Sequence, residues 1–136
     1  MTYDALLVVE SNRLDFLPKY IGVKHMMTFE KMIYSFANEL IEGYSGGYWE
    51  FYEIPRGMFM TLKTDKKLTV NSPNGSSYEL TGFEAGIVVC MFAFSNFAFY
   101  LYERHENSDD MAKYSYALKD YFSGLPGASK IWKLID

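Results

Sequence analysis

From Ala85 to Tyr102 the chain runs without a charged residue. That stretch constrains the fold more than any other, because a helix that is apolar all round must be covered all round. Its length approaches the ~20 residues that span a bilayer, and Gly82-x-x-x-Gly86 has the spacing of a helix-dimer motif. Three features favour a buried central helix and no membrane span. Ser95 and Asn96 interrupt the run, and buried polar groups need partners. The flanks, Glu84 and Glu103-Arg104-His105-Glu106, carry no one-sided basic excess. The remaining amphipathic elements also need something central to pack on. Thr81-Gly82-Phe83-Glu84 has capping-box spacing, so the helix is expected to start there and run to about Arg104.

A chain of 136 residues is one domain's worth, and residues 1–136 are read as a single domain. The 12 Tyr, 11 Phe and 2 Trp bring the aromatic share to 18%, which predicts an aromatic-packed core with tyrosines at its edges or on a contact surface. The net charge of −4 is too small for a mimic of DNA, which must present carboxylates at nearly phosphate density. It also argues against an extended phosphate-binding surface, which needs clustered Lys and Arg. Lys63, Lys66 and Lys67 do cluster, but they read as solvated charges at a hairpin edge. The lone Cys90 rules out an internal disulfide and reads as a small buried hydrophobe. The start, Met1-Thr2-Tyr3-Asp4, lacks the positive region of a signal peptide. Together these point to the cytoplasm.

Along the chain, Ala5–Val9 is a short apolar run that fits a strand, a helical turn or an arm. Arg13–Tyr20 suits a short helix stopped near Pro18. Phe29, Met32, Ile33, Phe36, Ala37, Leu40 and Ile41 form one helical stripe over about 29–42, with Thr28 as its N-cap. Strands are expected at 48–54, 58–62, 68–71 and 78–80, joined by turns at Pro55-Arg56-Gly57, 64–67 and 72–76. Short links between consecutive strands predict a four-stranded antiparallel meander. A polar loop over 106–110 leads into a helix at about 109–122, and Ile131, Leu134 and Ile135 suggest a final docking helix. The fold class is therefore α+β: a small four-stranded antiparallel sheet packed with several helices, one of them long, buried and central.

Catalytic chemistry is hard to find. Glu50 and Glu53 stand three apart on a strand and point to opposite faces, so they do not make an acid/base pair. His25 and His105 show no metal-ligand spacing. No nucleophile elbow is present, and Gly43, Gly46 and Gly47 are not followed by the Lys of a phosphate loop. No catalytic residue, metal site or cofactor site is assigned. The groups that suit a partner are Tyr48, Glu50 and Tyr52, which share one strand face, and the acidic loop of Glu106, Asp109 and Asp110.

Several blocks occur together in order: Arg13-x-x-Phe16-Leu17-Pro18, Tyr44-x-Gly46-Gly47-x-Trp49-Glu50-Phe51-Tyr52, Asn74-Gly75, Ala85-Gly86-Ile87-Val88, Phe92-Ala93-x-Ser95, and Tyr114 with Leu118-Lys119-Asp120-Tyr121. In this the chain resembles the ArdB/KlcA antirestriction family from about Arg13 to Asp136. The first twelve residues and the loop 22–27 look less typical. The resemblance implies a compact α+β protein that protects incoming plasmid or phage DNA from host type I restriction enzymes. It implies no DNA charge mimicry and brings no accepted catalytic residues.

The expected function is thus a non-enzymatic antirestriction protein that meets a type I restriction-modification complex or an associated host factor. The alternative is a weak DNA-binding accessory module of a plasmid or prophage, using Arg13, Lys19, Lys24, Arg56 and Lys63–Lys67. Oligomeric state is left open.

Overall fold

The computed structural model describes residues 4–136. Met1, Thr2 and Tyr3, on which most of the signal-peptide reading falls, lie outside the described residues. The elements in order are β1 (Leu6–Leu7), a 3-10 turn (Glu10–Asn12), α1 (Arg13–Tyr20), α2 (Met26–Leu40), β2 (Tyr48–Ile54), β3 (Gly57–Lys63), β4 (Leu68–Asn71), β5 (Ser77–Leu80), α3 (Gly82–Glu103), α4 (Asp109–Phe122) and α5 (Ala128–Ile135). The class is α+β, as the sequence predicts.

The single four-stranded sheet is a correction. The strands group as a three-stranded sheet in the order β1-β2-β3 and a separate two-stranded hairpin, β4-β5, all pairs antiparallel. β3 and β4 do not pair, because a helix occupies the place where β4 was expected. Gly82, Gly86 and Cys90 fall at every fourth position of α3 and bring one small-residue row onto the backbone of β3. A Cβ on Gly82 would lie 2.1 Å from the Leu62 carbonyl oxygen, and one on Gly86 2.4 Å from Thr61 Cα. One turn further on, the Met60 N–H donates to Cys90 Sγ at 3.2 Å, and the thiol sits 3.4 Å from the Met60 carbonyl oxygen. The Gly82-x-x-x-Gly86 spacing therefore does signal close approach, but to a strand of the same chain. β4 pairs instead with β5 and bridges at Val70 to Ile41, just past α2.

α3 packs on β3, α2, α4 and α5. Its side chains Ala85, Ile87, Val88, Val89, Cys90, Ala93, Phe94 and Phe97 are buried. By length and composition alone it is apolar enough to cross a membrane, but 61% of that apolar stretch is buried against the other elements; the expectation of cover all round fails at Phe99 and Tyr102, which are exposed. The capping box forms as predicted: the Glu84 N–H donates to Thr81 Oγ1 at 3.1 Å, and the Thr81 N–H to Glu84 Oε1 at 3.0 Å. Ser95 and Asn96 are a second correction. Both are exposed and mark the side of α3 that faces out; Asn96 Nδ2 donates to the Phe92 carbonyl one turn back.

Phe29, Ile33, Ala37, Leu40 and Ile41 of the predicted stripe are buried, and the Phe29 ring meets Phe94 and Phe97 of α3. Burial of each such side chain stabilises the fold by roughly 1.5–3 kcal/mol. α2 begins at Met26, before Thr28, and its N-cap His25 makes no side-chain cap bond. α1 passes through Pro18 to Tyr20. Its stop is Gly22, at φ +95°, whose N–H reaches the carbonyls of Leu17 and Pro18. A left-handed residue there closes the helix as glycine commonly does.

A candidate interaction surface

β2 alternates. Trp49 and Phe51 are buried on one face, while Tyr48, Glu50 and Tyr52 share the other, across from Lys63, Thr61 and Phe59 of β3; Ile54, at the end of that second face, is buried too. Tyr48 is 51% exposed, with Lys63 Nζ 6.0 Å from its ring centre. Glu50 is half-buried. Tyr52 stacks on Phe59 at 5.2 Å and meets Phe83 of α3 edge-on at 5.4 Å. Burial, and then the nearby Glu50 charge, push its phenol up from the ordinary tyrosine value. Of the two tyrosines, Tyr48 is the more open to solvent, and Tyr52 is the lip of an aromatic cluster that also includes Tyr121 of α4.

Glu53 turns to α1, where it accepts hydrogen bonds from Tyr20 Oη and from Lys19 Nζ, the latter at 2.9 Å. These donors, Tyr20 first, hold its carboxyl below the usual range against a smaller opposing effect of burial. Tyr114 Oη of α4 donates to the Tyr20 carbonyl at 2.7 Å, and burial pushes the Tyr114 phenol up to about 12.

The acidic loop divides in two. Glu106 is partly neutralised: His25 Nε2 lies 2.9 Å from each carboxylate oxygen, and Lys24 Nζ is 3.1 Å from Oε1. The His25 bond, then the Lys24 bond, hold its carboxyl below the ordinary value. Asp109 and Asp110 are exposed in the first turn of α4, where the helix N-terminus favours negative charge. The Asp109 N–H is taken by the Asn107 side chain. Tyr48 and Glu106 have different neighbours, so no contact fuses the strand face and the loop into one patch among the described residues.

The basic residues do not form a phosphate-binding stripe. Lys19 and Lys24 are each in an ion pair. Arg56 sits in the β2–β3 turn at φ +66°, and Lys63, Lys66 and Lys67 are exposed at the β3–β4 link. Arg13 is held by aromatic rings. Its guanidinium carbon lies 4.7 Å from the Tyr48 ring centre and 4.4 Å from that of Phe51, and Nη2 donates to the Trp49 carbonyl at 2.8 Å. That bond continues the edge of β2 past the point where the Val8 N–H serves the Phe51 carbonyl.

Burial pushes the Cys90 thiol up to about 12, which makes it a poor nucleophile. No group of three His, Cys, Asp or Glu suited to a metal ion occurs among the described residues.

Sequence reasoning missed a groove of about 430 Å³ between α1, α2 and the start of β2, lined by Arg13, Leu14, Met27, Tyr34 and Tyr48 among others. Leu14 is 91% and Met27 69% exposed. Each lies off the buried stripe of its own helix, a signal present in the periodicity.

The chain belongs to the antirestriction protein family: the family profile described as "Antirestriction protein" matches residues 42–136. Antirestriction protein KlcA of Escherichia coli is 34% identical over 134 residues, covering 97% of this chain and 94% of that protein. YafX of Escherichia coli K12, an uncharacterized protein, is 33% identical over 134 residues, covering 95% of this chain and 85% of its own length. A solved structure from work on KlcA and ArdB matches with a TM-score of 0.90 at 33% identity, over 100% of this chain and 96% of that one. The KlcA and ArdB proteins are described there as having a novel fold and antirestriction activity against type I DNA restriction systems in vivo but not in vitro.

Proposed function

We propose that this chain protects incoming mobile-element DNA from host type I restriction enzymes, and that it does so in the cytoplasm, non-enzymatically, by contact with protein. The observation that carries the reading is the match to the KlcA and ArdB fold over the entire chain at 33% identity. Residues 1–41 precede the profile match, but the KlcA alignment covers 97% of the chain and so takes in most of them, and α2 packs against α3, so we read 1–136 as one functional domain. An activity present in vivo but not in vitro, as for KlcA and ArdB, fits a target found only in the cell: a host factor, or a state of the restriction complex formed only there.

The proposed contact groups are Tyr48 and Glu50 on the β2 face and Asp109 and Asp110 at the start of α4. Tyr52 and Glu106 are held by neighbours at the margin of each patch. DNA charge mimicry is disfavoured by the net charge of −4, and direct DNA binding by the ion pairs that hold Lys19 and Lys24 within the fold.

The test is the plating efficiency of unmodified phage on a type I restricting host, with and without the protein. A large rise that Tyr48→Ala, Glu50→Gln or Asp109→Asn with Asp110→Asn reduces supports the reading. No rise from soluble, abundant protein sinks it for that system.

A further inference from the structure

We infer that the groove between α1, α2 and the start of β2 receives a segment of a partner protein that presents a carboxylate beside a bulky apolar side chain. This rests on the protein-contact reading above and deepens it, by moving the docking point to one side of Tyr48 and stating what the partner brings.

Arg13 supplies the charge. Among the described residues Arg13 has no carboxylate of this chain within 4.0 Å, as is true of every Lys and Arg except Lys19 and Lys24. Its guanidinium is nevertheless fixed in place, between the Tyr48 and Phe51 rings and on the Trp49 carbonyl. A guanidinium has five N–H donors in a rigid fork, and the protein occupies one through this bond. A fixed fork with donors to spare, and no acid of its own, suits a carboxylate from outside.

Leu14 and Met27 supply the apolar part. They flank the groove from α1 and α2, both largely exposed, with the Tyr34 and Tyr48 rings beside them. Methionine adapts to irregular partners, and a groove lined mainly by apolar and aromatic side chains, with few charged groups, matches the anatomy of a binding hot spot. Nucleic acid fits less well. Among the described residues Arg13 is the only cation lining the groove, and a phosphate track requires several cations.

The test uses the full chain carrying Leu14→Asp, Met27→Asp, Leu14→Lys or Met27→Lys, scored by phage plating on the restricting host. Both side chains project into solvent, so melting temperatures should match the parent and separate loss of contact from loss of fold. The Asp variants are expected to lose protection by about tenfold or more, through a lost anchor and a repelled carboxylate, and the Lys variants several-fold less. Undiminished protection by all four, in a host where the parent protects, overturns the groove and leaves the protein-contact reading standing; failure of the parent itself removes that reading and the inference with it. A loss in the Lys variants as large as in the Asp variants overturns the acidic occupant. A low-salt mobility shift of a short oligonucleotide that the Asp variants abolish and the Lys variants retain overturns the protein occupant in favour of nucleic acid.

Discussion

Gly127 backs directly onto the carboxylate of Glu84: a Cβ built there would stand 1.8 Å from Glu84 Oε2. The other oxygen, Oε1, accepts from both the backbone N–H and the hydroxyl of Thr81. One carboxylate therefore closes the start of α3 and faces the N-cap of α5. Gly127→Ala has no backbone strain to meet, at φ −87°, and Glu84 is flexible enough to swing away. The cost is then the lost capping box, about 0.5–2 kcal/mol. Urea unfolding of a double-mutant cycle checks this. Gly127→Ala should cost clearly less in a Glu84→Ala background than alone, and equal costs in the two backgrounds would refute the coupling.

Gly86→Ala should be costlier. The new methyl would meet Thr61 Cα at 2.4 Å and the Met60 carbonyl oxygen at 2.6 Å, both backbone atoms that no rotamer change can move. Replacing glycine by alanine within a helix is worth about 1 kcal/mol in propensity, while overpacking typically costs about 1–3 kcal/mol, occasionally more. Overpacking wins here because helix and strand must separate. The expected result is a lower urea midpoint with an unchanged slope; a raised midpoint would refute the close packing.

Cys90 should resist alkylation in the folded protein at pH 8. Its thiol is fully buried and pushed up to about 12 by that burial, so neither access nor thiolate is available. Labelling by iodoacetamide is expected to rise with urea in step with the loss of circular dichroism. Rapid labelling without denaturant would contradict the sealed contact with Met60.

Glu53 should make stability acid-sensitive. Its carboxyl is held low by Tyr20 first and Lys19 second, so the folded state binds the proton more weakly than the unfolded chain does. That contribution is complete above the ordinary carboxylate range near 4.3 and disappears as pH falls through the lower folded value. The melting temperature of Glu53→Gln should therefore lie below the parent at neutral pH and converge with it in acid. A gap that widens in acid would refute the assignment. The effect is modest, since the Glu53 side chain is 34% exposed.

The sequence carried the local structure well and the long-range pairing less so. The Thr81–Glu84 capping box and α4 emerge at the expected residues because both depend on neighbours three and four positions away. The β2–β3 hairpin is local in the same sense. The β3–β4 pairing failed because the edge of β3 is claimed from far along the chain, by Gly82, Gly86 and Cys90. Their spacing announces close approach without naming the surface approached. Ser95 and Asn96 misled for a related reason: in a run so apolar, two polar residues look buried until the helix is seen to have an outer side. In the candidate surface, alternation placed Tyr48 and Glu50 on a shared face. The groove beside Arg13 escaped notice because it joins α1, α2 and β2, which meet only in three dimensions.

The helix laid along β3 has a consequence for a crowded cell. A bare strand edge is a template on which other chains can add, and that is how soluble proteins begin to aggregate. Here α3 covers β3, Ile41 bridges to β4, and Lys130 reaches the Glu79 carbonyl of β5. Among the described residues, what stays open is short: β1, two residues long, and the rest of the four-residue β5. The seven-residue edge of β3 is thereby withheld from strand addition.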